Sequence, residues 1–103
     1  MRFKWGMGFL WIGRGEYQFI GHIRDVLKIT QQGESFIGIR TIGSQWVPKG
    51  SMAIEGALDK NGFKKLIFIG GDGPNSVKGK ISKDGKTIEI QRTNFFDGEL
   101  TRK

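Results

Sequence analysis

Apolar and polar residues alternate along much of the C-terminal two-thirds of the chain. In segment 77–82, valine, glycine and isoleucine occupy one set of alternate positions, and two lysines and a serine occupy the other. Segment 87–92 repeats the alternation with Ile88 and Ile90 on one face. A period of two is typical of an antiparallel sheet that buries one face and exposes the other. The pattern therefore predicts a β-strand in each segment, with the apolar row facing a core.

The middle of the chain continues this pattern. Alternation predicts inward positions for Ile37 and Ile39, and for Ile54 and Leu58 in the next apolar run. The run at 63–69 is apolar on both faces, which indicates a strand that is central or covered on its outer side.

Two dipeptides between these runs are strong turn signals. Asn61-Gly62 and Asp84-Gly85 each separate two apolar segments. Such pairs favour positive φ at both central positions, as tight type I′ hairpin turns require. We therefore predict two type I′ hairpins, and a third, weaker turn at Gly33.

The segment from Tyr17 to Ile29 is ambiguous. Its apolar residues fit a helical stripe, but an overlapping set also fits one face of a long strand. No convincing capping residue precedes the segment, and Gly21 would weaken a helix by roughly 1 kcal/mol. Our interpretation is a bent strand; the alternative is one helix at about 17–28 packed on a six-stranded sheet.

The candidate strands number about eight and follow one another at hairpin spacing. They are 8–13, 17–31, 35–42, 51–58, 63–69, 76–82, 87–92 and 98–102. No long crossover separates them, so an antiparallel meander is the simplest topology. Closing the meander into a small up-and-down barrel would protect both sheet edges. We predict an all-β fold, with a single barrel domain spanning residues 1–103.

Composition narrows the chemistry. The chain has 17 glycines, two prolines, one histidine and no cysteine. Glycines scattered between apolar runs suit many short strands. The absence of cysteine removes disulfides, thiolate nucleophiles and cysteine-type zinc sites. We expect no metal and no cofactor.

Catalytic patterns are weak. The glycine-rich stretch 70–81 does not match a phosphate loop, because Pro74 stands where a glycine is needed and Ile81 where Ser or Thr is needed. His22 and Asp25 lie three residues apart, so on a strand they point to opposite faces. Ten acidic residues leave paired-carboxylate chemistry open, but no two have a spacing that forces them together. We name no catalytic residue and expect a non-enzymatic protein.

The formal net charge of +7 indicates partners of opposite sign or a solvated basic surface. Lysines in the last predicted hairpin would crowd one outer face, near Phe95 and Phe96. The residues of this face are Lys78, Lys80, Lys83, Lys86 and Arg92. Basic grooves with aromatic platforms bind single-stranded nucleic acid, which gives one functional hypothesis. The alternative is that these lysines only protect sheet edges and keep the protein in solution.

Both ends of the chain resemble calycin barrels, the group of lipocalins, fatty-acid-binding proteins and avidins. The resemblance rests on Trp11-Ile12-Gly13 and on a last strand that ends with Arg102. It implies that Trp11 packs at the closed end of a barrel beneath Arg102, with a cation–π component. The Gly-x-Trp signature of lipocalins is not met, because Phe9 stands two residues before the tryptophan.

The resemblance implies a barrel that binds a small apolar or amphipathic molecule at its open end. An eight-stranded barrel has room for side chains or for one small ligand. The candidate ligand-binding residues are Tyr17, Phe36, Arg40, Trp46 and Phe68. Arg40 could bind an acidic group, so the ligand could be anionic. Plain core packing is the competing explanation for each aromatic.

Two further expectations concern partners and location. The apolar stretch near the N-terminus is interrupted by glycines and followed by charged residues at Arg14 and Glu16, unlike a signal peptide. No stretch approaches the roughly 20 apolar residues that cross a bilayer. We expect a cytoplasmic protein without a membrane span. A third functional hypothesis is an interaction module that forms a homodimer through a sheet edge or an aromatic patch.

Overall fold

A computed structural model describes residues 10–21, 24–71, 73–91 and 98–103. All regular structure in these residues is β, in nine antiparallel strands of one sheet. The strands are β1 (Arg14–Gly21), β2 (Arg24–Gln32), β3 (Ser35–Arg40), β4 (Met52–Asp59), β5 (Gly62–Gly70), β6 (Gly73–Ser76), β7 (Gly79–Ile81), β8 (Thr87–Ile90) and β9 (Gly98–Arg102). The described part of the chain contains no helix that could span a membrane.

The strands form a meander with the spatial order β6-β5-β4-β3-β2-β1-β9-β8-β7. The all-β antiparallel prediction is confirmed. The count is nine for three reasons. The strand predicted at 17–31 is two strands, β1 and β2, and an additional short strand, β6, precedes β7 and pairs with β5, whereas β7 pairs with β8. The strand predicted at 8–13 lies partly outside the described residues, and residues 10–13 belong to none of the nine strands. The sheet is curled into a half-barrel rather than the closed barrel that we predicted. Its two edge strands are consecutive in the sequence, separated only by Val77 and Lys78.

The segment expected as one bent strand is a hairpin of β1 and β2. Tyr17 lies opposite Leu27, and Phe19 lies opposite Asp25. The interpretation of a single strand over 17–31 is therefore wrong, and so is the alternative of a helix at 17–28. The strand period itself was informative, because Tyr17 and Phe19 of β1 and the odd-numbered residues 25–31 of β2 are all buried. Folding the hairpin puts both rows on one face, which a helix could not do.

The concave face of the sheet is filled with apolar side chains. The fully buried large residues include Tyr17, Phe19, Phe36, Leu27, Ile29, Ile54, Leu58, Ile88 and Leu100. Inward positions are thus confirmed for Ile54, Leu58 and Ile88, and also for Ile90, which is 3% exposed.

Strand β3 has the opposite phase to the one predicted. Phe36 and Arg40 face inward, while Ile37 is 41% exposed and Ile39 is half-buried. Alternation fixes all side chains of a strand together, so only one of the two rows can enter the core. The Phe36 ring contacts the Phe63 ring at 5.7 Å between centroids. The row that enters the core is therefore the one that carries the phenylalanine, and not the one that carries Ile37 and Ile39.

Both predicted tight turns exist, but neither is of type I′. Gly62 and Gly85 have positive φ, whereas no described non-glycine residue does, so Asn61 and Asp84 do not meet the type I′ requirement. In the first turn, the Asp59 carboxylate accepts the N–H groups of Asn61 and Gly62 at 2.8 and 3.0 Å. This side-chain acceptor closes the turn without a second residue at positive φ.

Candidate functional site

Four of the five predicted ligand-binding residues lie inside the sheet. Tyr17, Phe36, Phe68 and Arg40 are between 0% and 8% exposed, whereas Trp46 is 75% exposed. Phe68 contacts the Phe19 ring at 5.6 Å, so the interior at this level is occupied by side chains. The structure brings the four buried residues into or against one core and places Trp46 on the surface.

Arg40 makes its hydrogen bonds within the protein, to one hydroxyl and two backbone carbonyls. Its guanidinium donates to Ser51 Oγ at 3.2 Å, to the Met52 carbonyl at 2.9 Å and to the Ile69 carbonyl. The guanidinium carbon also lies 5.9 Å from the centre of the Phe68 ring. Burial lowers the pKa of Arg40, and the carboxylate of Asp25 acts in the opposite direction. These contacts connect β3 to the ends of β4 and β5.

The residues of the predicted basic face do not form a continuous positive surface. Lys78, Lys80, Lys83 and Lys86 are exposed, and Arg92 lies outside the described residues, as do Phe95 and Phe96. Across the strands, Lys80 lies opposite Glu89, which in turn lies opposite Glu99. This outer face therefore mixes both signs of charge. Nucleic-acid binding by these lysines stays a prediction.

An open groove of about 470 Å³ lies between the β4–β5 turn and β7. Its walls include Asp59 and Asn61 beside the turn, the half-buried Phe63 of β5, and Lys80 and Ile81 of β7. The Asp59 carboxylate is already engaged by the N–H groups of Asn61 and Gly62. The groove thus combines an aromatic and an aliphatic side chain with an exposed ammonium group.

The groove exists because β5 and β7 separate. The last hydrogen bond on the β6 side joins the Val77 N–H to the Leu66 carbonyl at 3.0 Å. One residue later the chain turns to β8, since the Gln91 N–H donates to the Lys78 carbonyl at 2.7 Å. Within the described ranges, no ladder of hydrogen bonds joins β5 to β7. The half of β5 nearest the β4–β5 turn therefore leaves a gap beside β7.

The backbone of β7 presents polar groups to this gap. Lys78 and Ser82 hydrogen-bond toward β8, the latter by donating its N–H to the Thr87 carbonyl at 2.9 Å. In an antiparallel strand the backbone groups of successive residues point to opposite edges. Those of Gly79 and Ile81 therefore point toward the groove. Each of these two residues presents an N–H donor and a C=O acceptor at that edge. The two N–H groups and the Lys80 ammonium group are donors that suit a carboxylate or phosphate.

Polar contacts lie at the same end of the curled sheet, around Gln31 and Arg102. The Gln31 amide oxygen accepts the N–H groups of Ile12 and Gly13 at 2.7 and 3.1 Å. The Arg102 guanidinium lies 5.7 Å from the centre of the Tyr17 ring and donates to the Ile12 carbonyl at 3.2 Å. A cation–π contact at this end is thus present with Tyr17. The contact implied between Trp11 and Arg102 stays a prediction.

Sequence reasoning missed the groove, although two sequence signals fall on residues that line it. Asn61-Gly62 marked the turn, and Phe63 began the run that is apolar on both faces. The described residues include no group of three or more His, Asp or Glu residues that could hold a metal ion.

Comparison with known proteins supplies no family. No family model matches the chain, and no curated protein or solved structure is significantly similar to it. The fold defines only a class, the curled antiparallel β-meander.

Proposed function

We propose that this protein is a non-enzymatic binding protein that takes a small amphipathic anion in the groove between the β4–β5 turn and β7. The observation that carries the proposal is the combination of Phe63, Ile81 and Lys80 around one open space of about 470 Å³. Small-ligand sites are typically concave and apolar, with a few polar groups that fix orientation. The filled interior favours this groove over the barrel mouth implied by the calycin resemblance.

Each part of the ligand would have its own partner. The apolar part would lie against Phe63 and Ile81. The anionic head would accept hydrogen bonds from Lys80 and from the backbone N–H groups of Gly79 and Ile81. Charge-assisted hydrogen bonds of this kind are roughly twice as strong as neutral ones.

The proposal also includes closure of the barrel. The chain passes from the β5 edge to the β8 edge within residues 77 and 78, and each has a hydrogen bond to a different neighbour. A segment bonded in this way would join the two sheet edges at residues 77 and 78. It would leave β5 and β7 apart on the side nearest the β4–β5 turn. The groove would then be a fixed split in a closed barrel and not a loose edge.

Octanoate is a suitable probe, with octanol and octyltrimethylammonium as neutral and cationic comparisons. Titration followed by amide chemical shifts should move the signals of residues 61–63 and 79–81 with octanoate most strongly. Lys80→Glu should weaken octanoate binding by about tenfold, the effect of roughly 1.4 kcal/mol.

Lys28→Glu is the matched control. Lys28 is an exposed lysine on β2 and changes the net charge equally, but it does not line the groove. Equal losses in both variants would show that only the total charge matters. Shifts confined to interior residues such as Phe68, or no shifts at all, would overturn the proposal.

A further inference from the structure

The segment between β3 and β4, residues 41–51, is tied to the curled sheet at its base; we refer to it as the Trp46 loop. On its first limb, the buried Asp25 carboxylate accepts the N–H groups of Ile42 and Gly43, both at 3.1 Å. At its far end, the Gly50 N–H donates to the Arg40 carbonyl at 2.8 Å, and the Arg40 guanidinium donates to Ser51 Oγ. A buried acid and a buried base therefore hold the two limbs.

Contacts within the Trp46 loop fix its tip. Ser44 Oγ accepts the N–H groups of Trp46 and Val47 at 3.2 and 3.3 Å, and the Ser44 N–H donates to the Val47 carbonyl at 2.8 Å. Val47 is only 6% exposed and anchors the turn. The conformation of the tip is thus set before any partner binds, which reduces the entropy lost on binding.

This ordered loop displays two large apolar side chains. Trp46 is 75% exposed and Ile42 is 59% exposed, the highest values among the large apolar residues of the described chain. A single exposed apolar residue has no special meaning, but a tryptophan and an isoleucine on one fixed loop are more informative. The fold covers only the smaller part of each residue.

The exposed charged residues on the loop and at the adjoining start of β2 are positive. Lys49 lies on the loop, and Arg24 directly precedes Asp25 at its base; both are exposed. The loop contains no acidic residue, and the whole chain carries a formal charge of +7. A loop with an exposed tryptophan at its tip, an exposed isoleucine on its first limb and no acidic residue fits a partner that is anionic at its surface and apolar beneath.

We propose that the Trp46 loop binds the surface of an anionic lipid bilayer. Trp46 and Ile42 enter the boundary between head groups and acyl chains, while Lys49 and Arg24 contact the lipid phosphates. Tryptophan suits this boundary because its ring is apolar and its N–H can remain hydrogen-bonded. Each cation near such a surface adds about 1 kcal/mol of attraction.

Other partners fit the loop less well. Bases stack on an indole, but the aliphatic Ile42 offers no stacking surface. A stable protein partner needs about 1,000 Å² of complementary area, more than two protruding side chains present. A bilayer needs no complementary shape. We therefore commit to the bilayer and treat the other partners as outcomes of the test.

Flotation with two kinds of vesicle tests the proposal. The full chain should float with phosphatidylcholine vesicles that contain phosphatidylglycerol and not with phosphatidylcholine alone. Trp46→Ala should weaken binding by about tenfold, because the indole supplies most of the apolar area. Its melting temperature should equal that of the parent, since the side chain is exposed. A blue shift of tryptophan emission on vesicle addition should also disappear in this variant.

Ile37→Ala is the control for loss of an exposed apolar side chain, because Ile37 is 41% exposed on the outer face of β3. It should leave flotation unchanged. Absence of flotation of the parent, or equal flotation of the parent and Trp46→Ala, would overturn the proposal. So would a concentration-dependent dimer that Trp46→Ala abolishes, or displacement of vesicles by an oligonucleotide, since these assign the loop to a second copy or to nucleic acid.

Discussion

Tyr17 donates its phenolic hydrogen to the carbonyl oxygen of Gly85 at 2.8 Å, inside the curled sheet. Tyr17 lies on β1 and is fully buried, and Gly85 lies in the turn between β7 and β8. Strands β1 and β7 are not neighbours in the sheet, since β9 and β8 stand between them. This hydrogen bond therefore connects the β7 edge to the middle of the sheet.

Tyr17→Phe should lower the free energy of unfolding by about 1–3 kcal/mol. The substitution keeps the ring in the core but leaves a buried carbonyl without its donor. Urea unfolding measures the difference. Hydrogen exchange should also quicken in the turn at residues 83–86 and remain unchanged at the β2–β3 turn. Equal stability of the two proteins would show that water replaces the hydroxyl.

The same hydroxyl predicts a loss of stability at alkaline pH. Burial raises the pKa of Tyr17 above its ordinary value of 10.0, and the nearby Arg102 partly offsets this effect. A raised pKa in the folded state means that the unfolded chain loses this proton first. The contribution is fully present below about pH 10 and is lost as the pH rises toward the folded pKa.

Comparison with Tyr17→Phe isolates this titration. Unfolding should be measured from neutral pH to above pH 10 in both proteins, since every other ionisable group is common to the two. The difference in free energy of unfolding between the two should shrink as the pH rises above about 10. A constant difference across this range would contradict the raised pKa.

Clean alternation was the most reliable sequence signal. Ile88 and Ile90 are flanked by polar residues, and both are buried as predicted. The last strand was expected at 98–102 and has those bounds. Period two identifies a strand without further information when polar and apolar residues alternate strictly.

The signal failed where polar residues enter the core. In β3 the inward row contains a glycine and Arg40, which a hydrophobic pattern counts as outward. The guanidinium is buried only because backbone carbonyls of two other strands accept its hydrogen bonds. Such partners are distant in sequence, so alternation could not reveal them. The groove depends likewise on where β7 leaves β5, which no local pattern records.

Gln31 supports a prediction about the N-terminal segment. Its amide accepts the N–H groups of Ile12 and Gly13, and it donates to the carbonyls of Leu10 and Gly33 at 2.8 and 3.0 Å. Gln31→Met keeps the size of the side chain but removes all four hydrogen bonds. The free energy of unfolding should fall by about 2–4 kcal/mol, because buried backbone groups lose their partners.

Gln32→Met is the control for this substitution, because its side chain is exposed on the neighbouring position of β2. It should change stability by less than about 0.5 kcal/mol. Hydrogen exchange at residues 12 and 13 should increase only in Gln31→Met. The role assigned to the amide is wrong if both variants unfold at the same urea concentration.

Gly43 and Gly50 offer a matched pair for the Trp46 loop. Both have positive φ, at 77° and 87°, so alanine is strained at each. A Cβ at Gly43 would stand 2.2 Å from the Lys49 nitrogen, whereas nothing lies within 4 Å of one at Gly50. Gly50→Ala should therefore cost about 1 kcal/mol, and Gly43→Ala about 2–4 kcal/mol. Because backbone atoms cannot rotate away, the limbs of the loop must separate in Gly43→Ala. Thermal unfolding gives the two costs, and the loop is less tightly closed than described if they are equal.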